Sequence, residues 1–185
     1  MQPAASRPAG TVAQVGTTEQ TAADRSTPDD EATGTDRAAT PGTAAPLEEL
    51  ATFGWPDSKG EPFDVDSLKG KPVVINFWAT WCAPCIKEMP DLSALSQELG
   101  SEAAFIGISL DKQDRVQRFT EKTPVAYPLL IADFKGLSLA RQWGNKQGQM
   151  PYTVVLNAQG RLHWQHAGLV DVDELRSMLK SPELR

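Results

Sequence analysis

The feature that most constrains this chain is an apolar run, Val73–Ala79, that leads within three residues into the pair Cys82 and Cys85. A nearly unbroken apolar run of this kind is typical of a strand whose sheet is covered by helices on both faces. The stretch that follows, residues 84–99, repeats leucines at helical spacing and contains Pro90, at which a kink is expected. The sequence therefore predicts a buried strand, a cysteine pair and the N-terminus of a helix in immediate succession.

The rest of the chain alternates strand-like and helix-like patterns. Turn-like residues 57–60, between two short apolar stretches at 53–55 and 62–65, predict an N-terminal β-hairpin. Asp171 is expected to cap the closing helix. Further strands are predicted at 103–110, 127–131, 152–156 and 162–166, and further helices at 115–122, 137–143 and 171–179. We predict one α/β domain, residues 47–185, with a central mixed β-sheet flanked by helices.

Residues 1–46 differ in composition from everything that follows. They contain no aromatic residue and, apart from two valines, no large aliphatic side chain. Such a segment cannot bury enough apolar surface to offset ~1–2 kcal/mol of backbone entropy per residue. We therefore predict a disordered tether at residues 1–46.

Charge and hydropathy exclude several classes of protein. The chain has 18 basic and 24 acidic residues, a net charge of −6, and residues 1–50 hold three of the basic and eight of the acidic side chains. Without a basic stripe, no binding of nucleic acid is expected. No apolar run approaches the ~20 residues of a membrane span, and the first residues lack the apolar core of a secretory signal. The expectation is either a cytosolic protein or one whose signal or anchor has been removed.

Cys82 and Cys85 are the only cysteines, which excludes a disulfide-rich scaffold. A thiol attacks as its thiolate, and the unpaired N–H groups at a helix N-terminus stabilise that negative charge. Cys82, at the predicted helix start, is therefore the expected exposed attacking residue, and Cys85, one turn into the helix, its buried partner. A structural disulfide would close too small a loop to constrain the unfolded chain much. The pattern favours a redox-active pair.

A metal site is the other interpretation of two neighbouring cysteines. Structural zinc needs four ligands, and only His163 and His166 remain to complete the set. Residues three apart on a strand point to opposite faces of the sheet, so these histidines would not bind one ion together. We expect neither a metal nor a cofactor.

Residues 74–85, Val-Ile-Asn-Phe-Trp-Ala-Thr-Trp-Cys-Ala-Pro-Cys, followed by Glu88-Met89-Pro90, resemble the thioredoxin superfamily. Within it, the chain is most similar to the exported, TlpA-like thiol–disulfide reductases, which include the cytochrome c maturation thioredoxins. The resemblance extends from about residue 53 to residue 179. It implies a thioredoxin-like fold with a strand–helix segment inserted at about 115–145, and a periplasmic or membrane-tethered location outside the cytoplasm.

The resemblance also implies roles for residues beside the cysteine pair. Pro151 would be a cis proline facing the cysteines, and the backbone of Met150 would pair with an incoming peptide as an added strand. Trp81 would pack beside the pair and shape the surface that docks the substrate; ordinary core packing is the alternative, since the chain has five tryptophans. Glu88, one turn beyond Cys85, would exchange a proton with the Cys85 thiol if burial raises its pKa. A solvated surface glutamate is the alternative.

Asn76 stands where many cytosolic thioredoxins carry a buried Asp, so acid–base work is expected from Glu88 or from water.

The expected activity is the reduction of disulfides in partner proteins, with electrons from an upstream thiol donor. This direction is favoured because no histidine lies between the cysteines to stabilise the reduced protein and make it an oxidant. One alternative is a copper-binding or haem-handling chaperone module with the cysteines as ligands. Another is a peroxide-reducing thiol enzyme, for which Thr80 is the one supporting residue.

Overall fold

The computed structural model describes residues 45–185. The predicted tether, residues 1–46, lies outside these residues except for its last two positions. The helices are α1 (Pro46–Phe53), α2 (Ala83–Leu99), α3 (Gln113–Thr120), α4 (Lys135–Gln142) and α5 (Val172–Leu179), with short 3₁₀ helices at Val65–Leu68 and Pro182–Leu184. The strands are β1 (Val73–Trp78), β2 (Ala104–Ser109), β3 (Leu129–Ile131), β4 (Tyr152–Leu156) and β5 (Leu162–Ala167). Each strand predicted from residue 103 onward, and each predicted helix, is present within a few residues of its expected bounds.

The five strands form one mixed sheet in the order β3-β2-β1-β4-β5. β1 pairs in parallel with β2, and β2 with β3, whereas β4 is antiparallel to both β1 and β5. Every residue of β1, β2 and β4 is buried. The central mixed sheet predicted from the apolar runs is confirmed.

The two faces of β1 pack against different layers. Successive side chains of a strand point to opposite faces, so Val74 and Trp78 join a core with the buried residues of α2 and α5. Ile75 and Phe77 face the other way, into a core with the buried residues of α1 and α4. Helices thus cover both faces of the sheet, which explains why β1 has no polar alternation in its sequence.

The N-terminal part of the domain differs most from its prediction. Phe53 is the last residue of helix α1 rather than the first of a strand, and the expected hairpin is reduced to one antiparallel bridge between Pro56 and Pro62. Proline has no N–H to donate to a ladder, which limits pairing on this stretch. Asp57 makes a second bridge, to Leu130 of β3. The shortened hairpin therefore covers the outer edge of the sheet.

Helix α1 is held by contacts far along the chain. It buries Leu47 and Leu50, and the Leu47 N–H donates to the carbonyl oxygen of Gly160 at 3.3 Å. Gly160 has φ +73°, and a Cβ there would lie 2.8 Å from Cβ of Leu47. The side chain of Glu49 accepts a hydrogen bond from Nε1 of Trp143 at 2.9 Å.

The segment between β2 and β4 corresponds to the predicted insertion at about 115–145. It contains α3, β3 and α4. Its strand extends the sheet beyond β2, and its last helix packs on the face that α1 also covers. Within residues 45–185, none of the helices combines the length and the hydropathy that a membrane crossing requires.

Candidate active site

The cysteine pair lies where β1 passes into α2, at the carboxyl end of the central strand. The Cys82 N–H donates to the carbonyl oxygen of Ala79 at 3.1 Å, which closes a tight turn between the two elements. Cys82 is the N-cap of α2, and its Sγ accepts a hydrogen bond from the Cys85 N–H at 3.3 Å. A helix N–H that lacks an intrahelical partner is thus directed at the sulfur of Cys82, as the argument from helix position predicts.

The two sulfurs form a disulfide in this structure, with an S–S distance of 2.02 Å and a Cα–Cα distance of 5.3 Å. Cys85 is fully buried and Cys82 is 6% exposed. The expectation of a freely exposed Cys82 is therefore wrong for the oxidised protein. Solvent nevertheless touches only Cys82 of the pair, so an incoming group can approach the disulfide from that sulfur.

Glu88 is 4% exposed and lies inside the protein, one turn beyond Cys85. Its Oε1 accepts a hydrogen bond from Nδ2 of Asn76 at 2.7 Å, and its Oε2 accepts one from the N–H of Val170 at 3.3 Å. Burial raises the pKa of Glu88 to about 7, although both hydrogen bonds lower it. A carboxyl group with this pKa can change its protonation state at neutral pH, which a solvated glutamate would not do.

Asn76 connects this carboxyl group to the sheet. Its Nδ2 also donates to Oγ1 of Thr153 on β4, at 3.0 Å, so this buried side chain links the two strands to Glu88. An amide does not titrate, so Asn76 positions Glu88 without competing for its proton. Sequence reasoning singled out Asn76 but missed Thr153 and Val170, because neither carries a motif.

Met150 and Pro151 lie directly before β4. Their peptide bond is cis, as the resemblance implies. The carbonyl oxygen of Pro151 accepts a hydrogen bond from the N–H of Gly168 at 2.8 Å, which ties this loop to the end of β5. Asn145, buried and not predicted, holds the preceding residues through two hydrogen bonds with the backbone of Gln149, at 2.8 and 2.9 Å.

Trp81, immediately before Cys82, is 60% exposed. It lines a surface groove whose other walls include Leu110 and Phe134, and Phe134 is 73% exposed. Two large exposed aromatic side chains thus line this groove, and one of them belongs to the residue before Cys82. Phe134 comes from the inserted segment, and no signal in the sequence predicted that it would lie here.

The two histidines of β5, His163 and His166, are exposed. In the part of the chain that the structure describes, no three histidine, cysteine, aspartate or glutamate side chains are grouped so that they could hold a metal ion. The chemistry that the arrangement supports is a cycle between a disulfide and two thiols at the surface end of α2, with a buried carboxyl group one turn below.

Comparison with known proteins points to the same chemistry. A model of the AhpC/TSA family matches residues 41–165. The thiol-disulfide oxidoreductase ResA of Halalkalibacterium halodurans is 30% identical to this chain, over 72% of this chain and 76% of its own. The thiol:disulfide interchange protein HelX of Rhodobacter capsulatus is 35% identical, over 73% of this chain and 72% of its own.

A solved structure adds the three-dimensional likeness. It is that of a secreted Mycobacterium tuberculosis disulfide oxidoreductase, described as homologous to E. coli DsbE. It matches with a TM-score of 0.57 and 29% identity, over 71% of this chain and 97% of that one. All three of these relatives are named for disulfide chemistry, which is the chemistry that the fold and the cysteine pair of this chain support.

Proposed function

We propose that this chain, which belongs to the AhpC/TSA family and is a thioredoxin-like thiol–disulfide oxidoreductase, works in the reducing direction on disulfides of other proteins. Its substrates, like those of its relatives, contain disulfides or the thiols formed from them. Thiol–disulfide exchange at this site rests on the Cys82–Cys85 disulfide at the N-terminus of α2, with Cys82 as the one sulfur of the pair that solvent touches. The reducing direction rests on the residues between the cysteines, which include no histidine to stabilise the reduced protein.

The cycle begins with the reduced protein. The Cys82 thiolate attacks one sulfur of the target disulfide, forming a mixed disulfide and releasing the other target sulfur as a thiolate. The Cys85 sulfur, after losing its proton, then attacks Sγ of Cys82, and the second target sulfur leaves. The target has gained two electrons, and the carrier ends as the disulfide described above. An upstream thiol donor returns two electrons to the carrier.

Glu88 is proposed to accept the proton that the buried Cys85 thiol must lose in the second step. A pKa of about 7 suits this task, because the group is partly ionised at neutral pH and can both accept and return a proton. Glu88 lies three residues after Cys85 in α2, and residues three apart on a helix lie on the same face, which supports the role. Asn76 and Val170 would keep the ionised carboxylate hydrogen-bonded inside the protein.

Docking of the target is proposed to use the groove at Trp81 and the loop that carries Met150 and Pro151. Trp81 and the groove beside it would contact apolar side chains near the target disulfide. As the resemblance implies, the backbone of Met150, next to Pro151, would pair with an extended segment of the target as an added strand. Such contacts would favour a protein disulfide over a small one.

We further propose that the protein works outside the cytoplasm, either in the periplasm or tethered to a membrane. Support comes from the TlpA-like pattern in the sequence and from a similar structure that is described as secreted. In that compartment the cysteine pair of an apocytochrome c is a suitable target, because its sulfurs must be reduced before haem attaches. Residues 1–46 would serve as the tether and residues 47–185 as the catalytic domain.

The reduction potential of the Cys82–Cys85 couple tests the proposed direction. The oxidised full-length chain is equilibrated in dithiothreitol buffers, and the thiol fraction is measured by alkylation. A reductant should give a potential well below about −200 mV, between the oxidase DsbA at about −120 mV and thioredoxin at about −270 mV but nearer the latter. A potential near −120 mV would assign the protein to the oxidising direction instead.

A further inference from the structure

We propose that Asp111 is a positioning residue for Cys82: its carboxylate holds Thr80, and through Thr80 it holds the turn that carries the cysteine to the N-terminus of α2. The inference rests on the proposed role of Cys82 as the attacking cysteine. It adds to the site a residue that lies two positions after the end of β2 and acts through its contact with Thr80.

The contact between Asp111 and Thr80 is direct and double. Oδ2 of Asp111 accepts one hydrogen bond from the Thr80 N–H at 2.6 Å and another from Thr80 Oγ1 at 2.8 Å. The Asp111 residue is 5% exposed, so these bonds form largely out of solvent. Hydrogen bonds to an ionised acceptor are about twice as strong as those between neutral groups. A buried carboxylate is therefore directed at a loop residue two positions before Cys82.

Thr80 lies inside the turn that connects β1 to α2. The turn runs from Ala79 to Cys82 and is closed by the hydrogen bond from the Cys82 N–H to the Ala79 carbonyl oxygen. Thr80 is its second residue, and the N–H of a second turn residue has no partner within the turn. Asp111 supplies that partner, so it fixes the orientation of a turn that the hydrogen bond between Cys82 and Ala79 closes.

Asp111 is itself anchored to the rigid part of the fold. It follows β2, where the Leu110 N–H donates to the carbonyl oxygen of Trp78 at 2.9 Å and continues the pairing of β2 with β1. Its own N–H donates to Oγ of Ser109 at 3.1 Å. Its Oδ1 faces Nη1 of Arg115 on α3 at 3.6 Å. The sheet and α3 therefore hold the carboxylate in place while it holds the turn.

The consequence for the chemistry concerns the thiolate of Cys82. Stabilisation by the helix N-terminus requires the sulfur to stay close to the unpaired N–H groups, since the effect falls off within the first turn. A loosened turn would let Cys82 leave this position for part of the time, and its pKa would rise. Asp111 thus supports the nucleophile through geometry.

The charge of Asp111 and its contact with Thr80 shift the pKa of Cys82 in opposite directions, so a measured pKa distinguishes the two effects. The charged groups in the groove beside the turn are Asp111 and Lys112 after β2, Arg115 on α3 and Asp133 before α4, and Glu88 lies further along α2. Removal of the negative charge of Asp111 would by itself favour the Cys82 thiolate and lower its pKa. Loss of the Thr80 contact would raise it.

The experiment measures the pKa of Cys82 in the reduced full-length protein, from the pH dependence of its alkylation by iodoacetamide, with the modified cysteine identified by mass spectrometry. Asp111→Ala removes both hydrogen bonds. Thr80→Val removes the hydroxyl donor, with little change of shape, while Thr80→Ser keeps it. Asp114→Ala is the control for charge. Asp114 lies three positions after Asp111, is exposed, and pairs with Arg118.

We expect Asp111→Ala to raise the pKa of Cys82 by about half a unit, which is about threefold less thiolate at a pH below the pKa. Thr80→Val should shift it in the same direction by a smaller amount, and Thr80→Ser and Asp114→Ala should leave it unchanged. A lowered pKa in Asp111→Ala with no change in Thr80→Val would show that Asp111 acts by charge alone and would overturn the proposal. An unchanged pKa with a lower melting temperature would overturn it too.

Two features keep the result interpretable. If Asp111→Ala does not fold, the Thr80→Val and Thr80→Ser pair still decides the question, because each keeps a side chain of similar size. The alkylation measurement needs only the thiol and no substrate. A failure of the wild-type protein to reduce protein disulfides would therefore refute the proposed function while leaving the positioning of Cys82 by Asp111 to be judged on its own data.

Discussion

The substitution Glu88→Gln tests whether a buried carboxyl group of this protein titrates near neutral pH. In the folded chain, burial raises the pKa of Glu88 from 4.5 to about 7, against the opposing effect of its hydrogen bonds with Asn76 and Val170. In the unfolded chain the same group ionises near its ordinary value. Between these two pH values the native state binds more protons than the unfolded state, so the free energy of unfolding falls as pH rises.

The size of the effect follows from the shift of about 2.5 units. At about 1.4 kcal/mol for each unit, about 3 kcal/mol of stability is present below pH 4.5 and is lost by about pH 8. A glutamine is neutral throughout and avoids this loss. It can accept the bond from Asn76, but it turns an amide N–H toward the N–H of Val170, which costs about 1–1.5 kcal/mol. We expect the variant to be about 1–2 kcal/mol more stable than the parent at pH 8, and no more stable at pH 5.

The assay is urea unfolding of the oxidised full-length protein at pH 5 and pH 8, with the variant and the parent compared at each pH. Glu98→Gln is the matched control on the same helix. Glu98 is exposed, and hydrogen bonds from Arg176 and Lys180 lower its pKa, so its variant should lose stability mainly above the ordinary pKa of a glutamate. If the free energies of unfolding of the parent and Glu88→Gln differ by the same amount at pH 5 and pH 8, Glu88 does not titrate in this range.

The same variant separates a structural carboxyl group from one that moves a proton. If Glu88 accepts the proton of Cys85, the variant should turn over at least about tenfold more slowly at neutral pH, and the inflection near pH 7 in the rate of protein-disulfide reduction should disappear. A stability profile that changes as expected, together with an unaltered rate profile, would make the proposed proton role of Glu88 wrong.

Three further predictions concern the cysteines, the domain boundary and the docking surface. Cys85→Ser should accumulate mixed disulfides with target proteins, because the attack remains and the resolving step is lost, whereas Cys82→Ser should trap almost none. Mass spectrometry identifies the trapped proteins, and equal or reversed trapping would make the assignment of roles wrong. A chain that begins at Ala45 should fold and reduce insulin disulfides like the full-length protein. A chain that begins at Gly54 lacks the two buried leucines of α1, so its free energy of unfolding, measured with denaturant, should fall by about 3–6 kcal/mol. Trp81→Ala should raise KM for a protein disulfide about tenfold and leave the rate with a small disulfide unchanged; an equal loss with both substrates would mean that the side chain supports the fold and not docking.

The sequence by itself determined the local elements of this protein. The apolar run before the cysteines, the helical spacing after them and the turn residues between the last two strands are properties of short segments, and each predicted its element within a few residues. Asp171 was expected to cap the last helix, and its Oδ1 accepts hydrogen bonds from the N–H groups of Asp173 and Glu174. The position of Cys82 at a helix N-terminus followed in the same way, because a cap depends on its own four residues.

Helix α1 was not predicted from the sequence. Its eight residues offer only two buried leucines, a pattern too short to predict a helix that is stable alone. What holds it are a carbonyl group at Gly160 and the indole N–H of Trp143, both about a hundred residues further along the chain.

Tertiary structure alone decided the solvation and the orientation of the groups around the disulfide. A glutamate on a helix has the same local sequence whether it faces water or the core, and Glu88 is buried because segments 12 and 82 residues away pack over it and donate to its two oxygens. The carboxylate that holds the cysteine turn comes from 31 residues beyond Thr80. A pKa and a side-chain position depend on the dielectric environment and the hydrogen-bond partners around a group. Those are supplied here by distant parts of the chain, which only the packing of the whole domain brings together.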